Sequence, residues 1–401
     1  MTAHGIAASA PGHSGRRPRV LVLTAEVGAG HNGAAAELAC RLRPHGVDAA
    51  CRDYLGALPA ASRWQLQRYG FTVAYFPWMY DWLWRASDAA APVFSIARRP
   101  CRKAMPEVAR WAEGFDTVVT TYPQACQTVG MLRATGQLAV PAVGYLTDPY
   151  AHRMWVHDGM DLHLTVTEAT AAQGRARFGI PMQVGGPLAS PDFAAPVEAA
   201  ARAAVRAELG VRTDQVMALV VSGSLGLGDV ASTARALSSA RDVVPVVLCG
   251  RSRRLHRRCS ALPGVVALGW RSDMAVLTAA ADVLVQNAGG MALTEALAAG
   301  LPAVTYAPIA GQGRPNAAVL ARSGLVPWPR NPQELVAAVR QQAARGRVDR
   351  LDPDGPQHVV AVVAELAYRT WEARTAPSAA PSSPASCASG ASGAQGGSNT
   401  D

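Results

Sequence analysis

The stretch Gln286–Asn316, QNAGGMALTEALAAGLPAVTYAPIAGQGRPN, decides how the rest of the chain is read. The apolar run Ala281–Gln286 leads into it and reads as a buried strand that ends in Asn287-Ala288-Gly289-Gly290. Met291–Ala299 reads as a helix, with Gly300 placed to stop it and Pro302 just beyond. Pro302–Tyr306 is a second apolar run and the next strand. In such a unit the glycine turn lets backbone N–H groups face outward at a helix N-terminus, where the helix dipole favours an anion. Glu295 lies one helical turn past Met291, near the mouth of that turn. A carboxylate there repels phosphate but can accept hydrogen bonds from ribose hydroxyls. The pair suits a nucleoside diphosphate; the same pattern also fits an ordinary βαβ unit with a solvated glutamate.

Two earlier stretches repeat the plan. Val216–Val221 is a strand followed by Ser222-Gly223-Ser224-Leu225-Gly226-Leu227-Gly228, whose N–H groups and hydroxyls suit a phosphate. Arg19–Thr24 is a β-branched run that leads into Gly28-Ala29-Gly30-His31-Asn32-Gly33 and a helix. Gly28, Gly30 and Gly33 match a dinucleotide fingerprint, with Asp53 at the expected distance for a ribose-binding acid. That oxidoreductase reading leaves the second half of the chain unexplained. His31 at a helix N-terminus is expected to stay neutral, as a general base must be, or else it is a loop-packing residue. Asp148 follows the expected strand Ala139–Leu146, where strand ends line the crevice of a parallel sheet; it equally fits a turn-forming Asp before proline. Further strands are expected at 47–51, 115–121, 161–167, 243–249 and 264–268, and a helix at 273–281 with Ser272 as its N-cap.

Residues 62–88, SRWQLQRYGFTVAYFPWMYDWLWRASD, hold Trp64, Trp78, Trp82 and Trp84 together with five Tyr and Phe residues. Pro77 is expected to divide them into two helices. Arg63, Arg68 and Arg85 flank the aromatics, and Arg98, Arg99, Arg102 and Lys103 follow. Aromatics with basic neighbours suit a membrane interface or an apolar acceptor; a core-covering helical pair is the alternative.

The 401 residues suffice for two α/β domains, and the formal charge is +9, carried mostly by clustered arginine. Seven cysteines without CxxC spacing argue against a disulfide framework or a zinc site and for a reducing compartment. No signal peptide or long apolar run is visible. Residues 1–18 and 375–401, the latter rich in Ser, Ala, Pro and Gly, are expected to be disordered. The segment Gln183–Phe193, with two Gly and two Pro, is the candidate boundary between an N-terminal domain, 19–185, and a C-terminal domain, 186–374, whose last helix could cross back.

Taken in order, these motifs resemble the GT-B glycosyltransferases of the monogalactosyldiacylglycerol synthase and processive diacylglycerol glucosyltransferase group, relatives of the peptidoglycan N-acetylglucosaminyltransferase. The residues that carry the resemblance are Gly28–His31, Thr147-Asp148 with His152 and Trp155, Gly185–Pro187, Ser222–Gly226, Gly269-Trp270 with Asp273-Met274, Ala288–Ala296, and Gly311-Gln312 with Asn316. The resemblance implies two Rossmann-like domains facing across a cleft. It also implies inverting, metal-independent transfer of a hexose, with no cofactor, from a UDP-sugar co-substrate to a lipid such as diacylglycerol. His31 or Asp148 would be the base, Glu295 would bind ribose, and Ser224, Gly289 and Gly290 the diphosphate. Gln312 and Asn316 would touch the sugar or its phosphates. Ser222, Gly223, Gly250, Trp270, Met291 and Thr294 fall on the donor side by the same carry-over. Gly30, Trp78, Trp82 and Trp155 fall on the acceptor and membrane side. The expected partners are a UDP-sugar, a lipid acceptor and the anionic inner face of the cell membrane, and not nucleic acid. A soluble natural-product glycosyltransferase and a non-catalytic sugar-nucleotide-binding protein are the competing readings.

Overall fold

A computed structural model describes residues 16–349 and 358–376. The disorder expected at the two ends concerns residues that, apart from 16–18 and 375–376, lie outside this set.

The first half forms a parallel sheet of six strands in the order β2-β1-β3-β4-β5-β6. The strands are β1 (Arg19–Thr24), β2 (Asp48–Asp53), β3 (Thr117–Thr120), β4 (Ala142–Leu146), β5 (Leu162–Thr165) and β6 (Met182–Val184). The helices among them are α1 (Ala29–Leu42), α2 (Ala60–Gln67), α3 (Tyr69–Tyr75), α4 (Pro77–Ala89), α5 (Ala91–Ala97), α6 (Arg99–Ala112), α7 (Pro123–Ala134) and α8 (Glu168–Phe178). Both faces of the sheet are covered, which is why RVLVLT is apolar throughout rather than alternating. One face packs on Ala104 and Val108 of α6 and Val129 and Leu132 of α7. The other packs on Leu38 and Leu42 of α1.

The second half is α9 (Ala199–Glu208), β7 (Val216–Val221), α10 (Val230–Ser238), β8 (Val243–Leu248), α11 (Arg253–Ser260), β9 (Val266–Leu268), α12 (Met274–Ala280), β10 (Val283–Gln286), α13 (Met291–Ala299), β11 (Ala303–Thr305), α14 (Gly313–Arg322) and α15 (Pro332–Arg345). Its five parallel strands run β11-β10-β7-β8-β9. The final helix, α16 (Val359–Thr375), joins the core beside α1 in the first half through Val359, Val363 and Ala367. Val359 N–H donates to Gly185 O, so the chain leaves the first sheet and returns to it at adjacent points.

The apolar runs locate the strands to within a few residues. α13 spans Met291–Ala299, and Gly300 adopts the left-handed conformation (φ 66°) that ends it. Three expectations need correction. α12 is capped at Asp273 rather than Ser272, and the Asp273 carboxylate binds Arg271 instead of the helix N-terminus. The aromatic stretch makes three helices, not two, because a further break falls at Arg68, ahead of the one at Pro77. β6 begins inside neither expected strand but at the edge of the segment read as a domain boundary.

Candidate active site

In a parallel sheet, ligands bind where strand order reverses, outside the strand C-termini. The first sheet reverses between β1 and β3, and the second between β7 and β10. The glycine loops after β1, β7 and β10 sit at those two points and face each other.

His31 lies in the first turn of α1. Its Nδ1 is 2.7 Å from the carbonyl oxygen of Thr121, which follows β3. A carbonyl can only accept, so Nδ1 carries the proton and Nε2 keeps a lone pair. Thr121 grips the residue twice, since its hydroxyl donates to His31 O at 3.2 Å. Burial holds the imidazole below its ordinary pKa, offset in part by the Asp148 carboxylate and the Thr121 carbonyl. The result is a neutral imidazole, fixed in one tautomer, with Nε2 unpartnered among the described residues.

Asp148 sits across from it. Its Oδ2 accepts from Trp155 Nε1 at 3.1 Å and its Oδ1 from Asn316 Nδ2 at 3.3 Å. Trp155, which the resemblance assigned to the acceptor and membrane side, is 1% exposed and packs in a core with Leu146 and Val156. It holds Asp148 and cannot meet a lipid surface. Asn316 is also engaged: it donates to Ala288 O at 2.8 Å and accepts from Tyr150 N–H at 2.9 Å. Its amide therefore bolts the two halves together. Gln312 Nε2 donates to Tyr69 OH at 2.9 Å, while its Oε1 is buried without a partner.

The two helix N-termini meet directly. A Cβ on Gly30 would lie 3.7 Å from Met291 Cβ, and one on Gly33 2.9 Å from Met291 Cε. Two of the three glycines that match a dinucleotide fingerprint, Gly30 and Gly33, thus serve close approach between α1 and α13, while Gly28 has open space around it. Asp53, the supposed ribose acid, is occupied in capping the turn at Leu55 and accepting from Glu26 N–H. The positive ends of both dipoles, with their unbonded first-turn N–H groups, converge on one spot. Gly290 has open space at its Cβ position, and no side chain caps α13.

The surrounding polar groups are incomplete. Ser222 Oγ and Asn287 Oδ1 are buried without hydrogen-bond partners. Asn287 Nδ2 holds the turn after β7 by donating to Leu227 O at 2.8 Å. Gly223 (φ 70°) is open, whereas Gly250 (φ 56°) passes so close to Ser224 O that a Cβ would sit 2.9 Å from it. Thr294 is buried beside Glu295 in α13. Glu295 makes no hydrogen bond to a described residue, and burial lifts its carboxyl to about 7. Trp270 is 56% exposed at the end of β9 under the Arg251 guanidinium, 4.7 Å away. Among the described residues no three His, Cys, Asp or Glu side chains group as a metal site. Buried polar groups normally find a partner, and Ser222 Oγ, Asn287 Oδ1 and Gln312 Oε1 in these glycine-lined loops are free to bind a polar ligand.

Comparison with known proteins agrees with this geometry. Residues 224–344 match the family described as Glycosyl transferases group 1. A processive diacylglycerol beta-glucosyltransferase of Bacillus mycoides is 24% identical over 341 residues, covering 80% of this chain and 84% of the relative. The chain has the GT-B fold, and its second half carries a glycosyltransferase domain. The counterpart from Bacillus pumilus is 28% identical over 211 residues, so the chain spans about half of that relative's length, 54%. The crystal structure of Acinetobacter baumannii MurG has the same fold, with a TM-score of 0.53 at 18% identity over 87% of this chain and 99% of that one. The family match falls on the half that carries Ser224, Glu295 and Gln312, while His31 and Asp148 lie outside it.

The exposed aromatics complete the enzyme's surface. Trp64, Trp78 and Trp82 are 60%, 72% and 59% exposed, beside Phe71, Tyr75 and Ile96. The inner side of the same helices packs on the donor half: Tyr80 and Trp84 press against Gly311, and Asp81 Oδ1 accepts from Gly311 N–H at 3.1 Å. The stretch is therefore both a packed element and an exposed apolar face. Among the described residues no helix is long and apolar enough to cross a membrane.

Proposed function

We propose that this glycosyltransferase moves a hexose from a UDP-sugar to the hydroxyl of a membrane lipid of the diacylglycerol type, with inversion and without a metal, while bound peripherally at the inner face of the cell membrane. The observation that carries the reading is the tautomer of His31: Nδ1 is tied to Thr121 O, and Nε2 stands free where two helix N-termini meet. The acceptor oxygen attacks the anomeric carbon as the bond to the diphosphate oxygen breaks on the opposite face. The hydroxyl proton passes to His31 Nε2, and the bonding electrons leave with UDP. The leaving charge is met by the N-termini of α13 and α1 and by the Ser222–Ser224 turn, a preorganised field that can stand in for a cation. Glu295, lacking a protein partner, is suited to ribose hydroxyls. Both Asp148 oxygens already accept protein hydrogen bonds, which favours His31 as the base and Asp148 as the group that orients the acceptor. The diacylglycerol relatives and the exposed aromatics support a lipid acceptor over a soluble one.

His31→Ala tests the assignment. Loss of a general base is expected to lower kcat by about 10²–10⁴-fold, with UDP affinity unchanged and activity insensitive to a chelator. Turnover within a few-fold of wild type would remove His31 from the chemistry.

A further inference from the structure

Tyr69, which opens α3, and Gln312, which precedes α14, make a contact that the transfer chemistry does not use. They come from different halves and meet at 2.9 Å, with Gln312 Nε2 donating to Tyr69 OH. That bond leaves one group over on each side chain. Gln312 Oε1 is buried without a partner. The Tyr69 hydroxyl accepts from Gln312, and among the described residues its own proton goes to no acceptor. The phenol keeps that proton. Burial pushes it up to about 12, against the Gln312 bond and with a further push from the Asp148 carboxylate. One unused donor and one unused acceptor therefore stand side by side. Exchanging the amide's O and N preserves this complementarity: the phenol then donates to the carbonyl, and the amide N–H and a phenol lone pair are left over.

Both residues are held from behind. The Tyr80 ring meets Tyr69 edge-on, 5.3 Å between centroids, and closes on Gly311, the neighbour of Gln312. Gly311 N–H in turn donates to Asp81 Oδ1 at 3.1 Å. Gly70 admits Leu225 of the turn after β7, whose Cδ1 lies 3.0 Å from where a Cβ on Gly70 would be. The start of α3 thus rests on two loops of the donor half. The pair also faces the site. Gln312 lies one helical turn before Asn316, whose amide binds both Asp148 and Ala288 O. The Asp148 carboxylate acts on the titration of His31, Tyr69 and Tyr80 alike, so these side chains surround one space. A hydroxyl is what satisfies a donor next to an acceptor, because it accepts from one and donates to the other. A phosphate oxygen would face Gln312 Oε1 with like charge, and a hydrocarbon chain would leave both groups unmet.

We propose that Tyr69 and Gln312 together read one hydroxyl of the transferred hexose, which makes Tyr69 a determinant of donor specificity supplied by the acceptor half. The inference rests on the reading that a UDP-hexose lies with its diphosphate at the N-terminus of α13. It adds that the hexose is recognised by both halves at once, through a residue of the aromatic helices.

The test is titration calorimetry of the full chain with UDP, with the tighter of UDP-glucose and UDP-galactose, and with analogues of that donor lacking a single hexose hydroxyl. Tyr69→Phe is expected to keep UDP affinity within about twofold and to weaken the UDP-hexose on the order of tenfold, the worth of a hydrogen bond whose partner is left unmet. One deoxy analogue should already bind weakly to wild type and lose nothing further in the variant, while the others should lose as the parent does. The variant keeps the ring that packs on Tyr80, so it should fold, and retained UDP binding reports that it has. Equal weakening of UDP and UDP-hexose, an unchanged UDP-hexose affinity, or a uniform loss across all the deoxy analogues would each overturn the proposal while leaving the donor reading in place. A wild type that binds no UDP would strike the donor reading itself, and the proposal with it.

Discussion

Glu295 shows how a single residue can be read twice. In the sequence it is a glutamate one turn into a helix after two glycines. In the structure it is a carboxyl without a hydrogen-bond partner, lifted from 4.5 to about 7 by burial alone. The sign of its effect follows. In the folded protein it holds a proton that the unfolded chain releases above its ordinary pKa. It therefore costs stability as pH rises from 4.5 toward 7, on the order of 3 kcal/mol in all. If ribose hydroxyls donate to the ionised form, affinity for UDP-glucose, whose own charge is constant in this range, rises as pH passes through about 7. Glu295→Gln is expected to flatten both profiles and to weaken donor binding at high pH by about 1–3 kcal/mol, the worth of hydrogen bonds to a charged group. Titration calorimetry and thermal melts at several pH values check this; a donor affinity independent of pH in wild type would contradict it. His31 and Glu295 were legible because their neighbours in sequence are glycines. Thr121 and Tyr69 were not, since the partners that give them meaning, His31 and Gln312, are distant in the chain.

At the scale of elements, α4 acts as a strut. Its outer face offers Trp78 and Trp82 to solvent. Its inner face reaches both halves: Asp81 and Trp84 touch Gly311, while Asp88 is held by Tyr150 OH at 2.7 Å, Arg153 N–H at 2.8 Å and the Arg177 guanidinium. Density of aromatics announced the helix, but period alone could not assign its faces, because every turn carries aromatics. The two faces make opposite predictions. Trp78→Ala with Trp82→Ala should reduce flotation with anionic liposomes while moving the melting temperature little, since neither side chain is packed. Gly311→Ala should do the reverse. Its φ of +79° and a Cβ only 2.3 Å from Tyr80 Cε1 leave no room, so a loss of about 2–4 kcal/mol is expected with flotation retained. A melting point unaffected by Gly311→Ala would mean that the strut does not bear on the donor half.

Across the whole molecule, the sequence's apolar runs predicted two parallel sheets because both faces of each sheet are covered, a demand that reaches nearly every residue of the inner strands β1, β3, β4, β7 and β10, though not the edge strand β2. The joint between the halves was less legible. It rests on Asn316 and Asp148, on Gly30 and Gly33 against Met291, and on Pro149 against Gly289, contacts between residues far apart in the chain. The resemblance put Asn316 at the sugar or its phosphates; in the fold its amide is also a clamp between Asp148 and Ala288. The central claim is that this joint transfers a sugar to a lipid hydroxyl. Its most direct test is incubation of the enzyme and of His31→Ala with UDP-hexoses and diacylglycerol vesicles, reading lipid products by mass and anomeric configuration by NMR. The account predicts a hexosyl-diacylglycerol of inverted configuration from the wild type and almost none from the variant. Retained configuration, or sugar release to water without any lipid product, would contradict it.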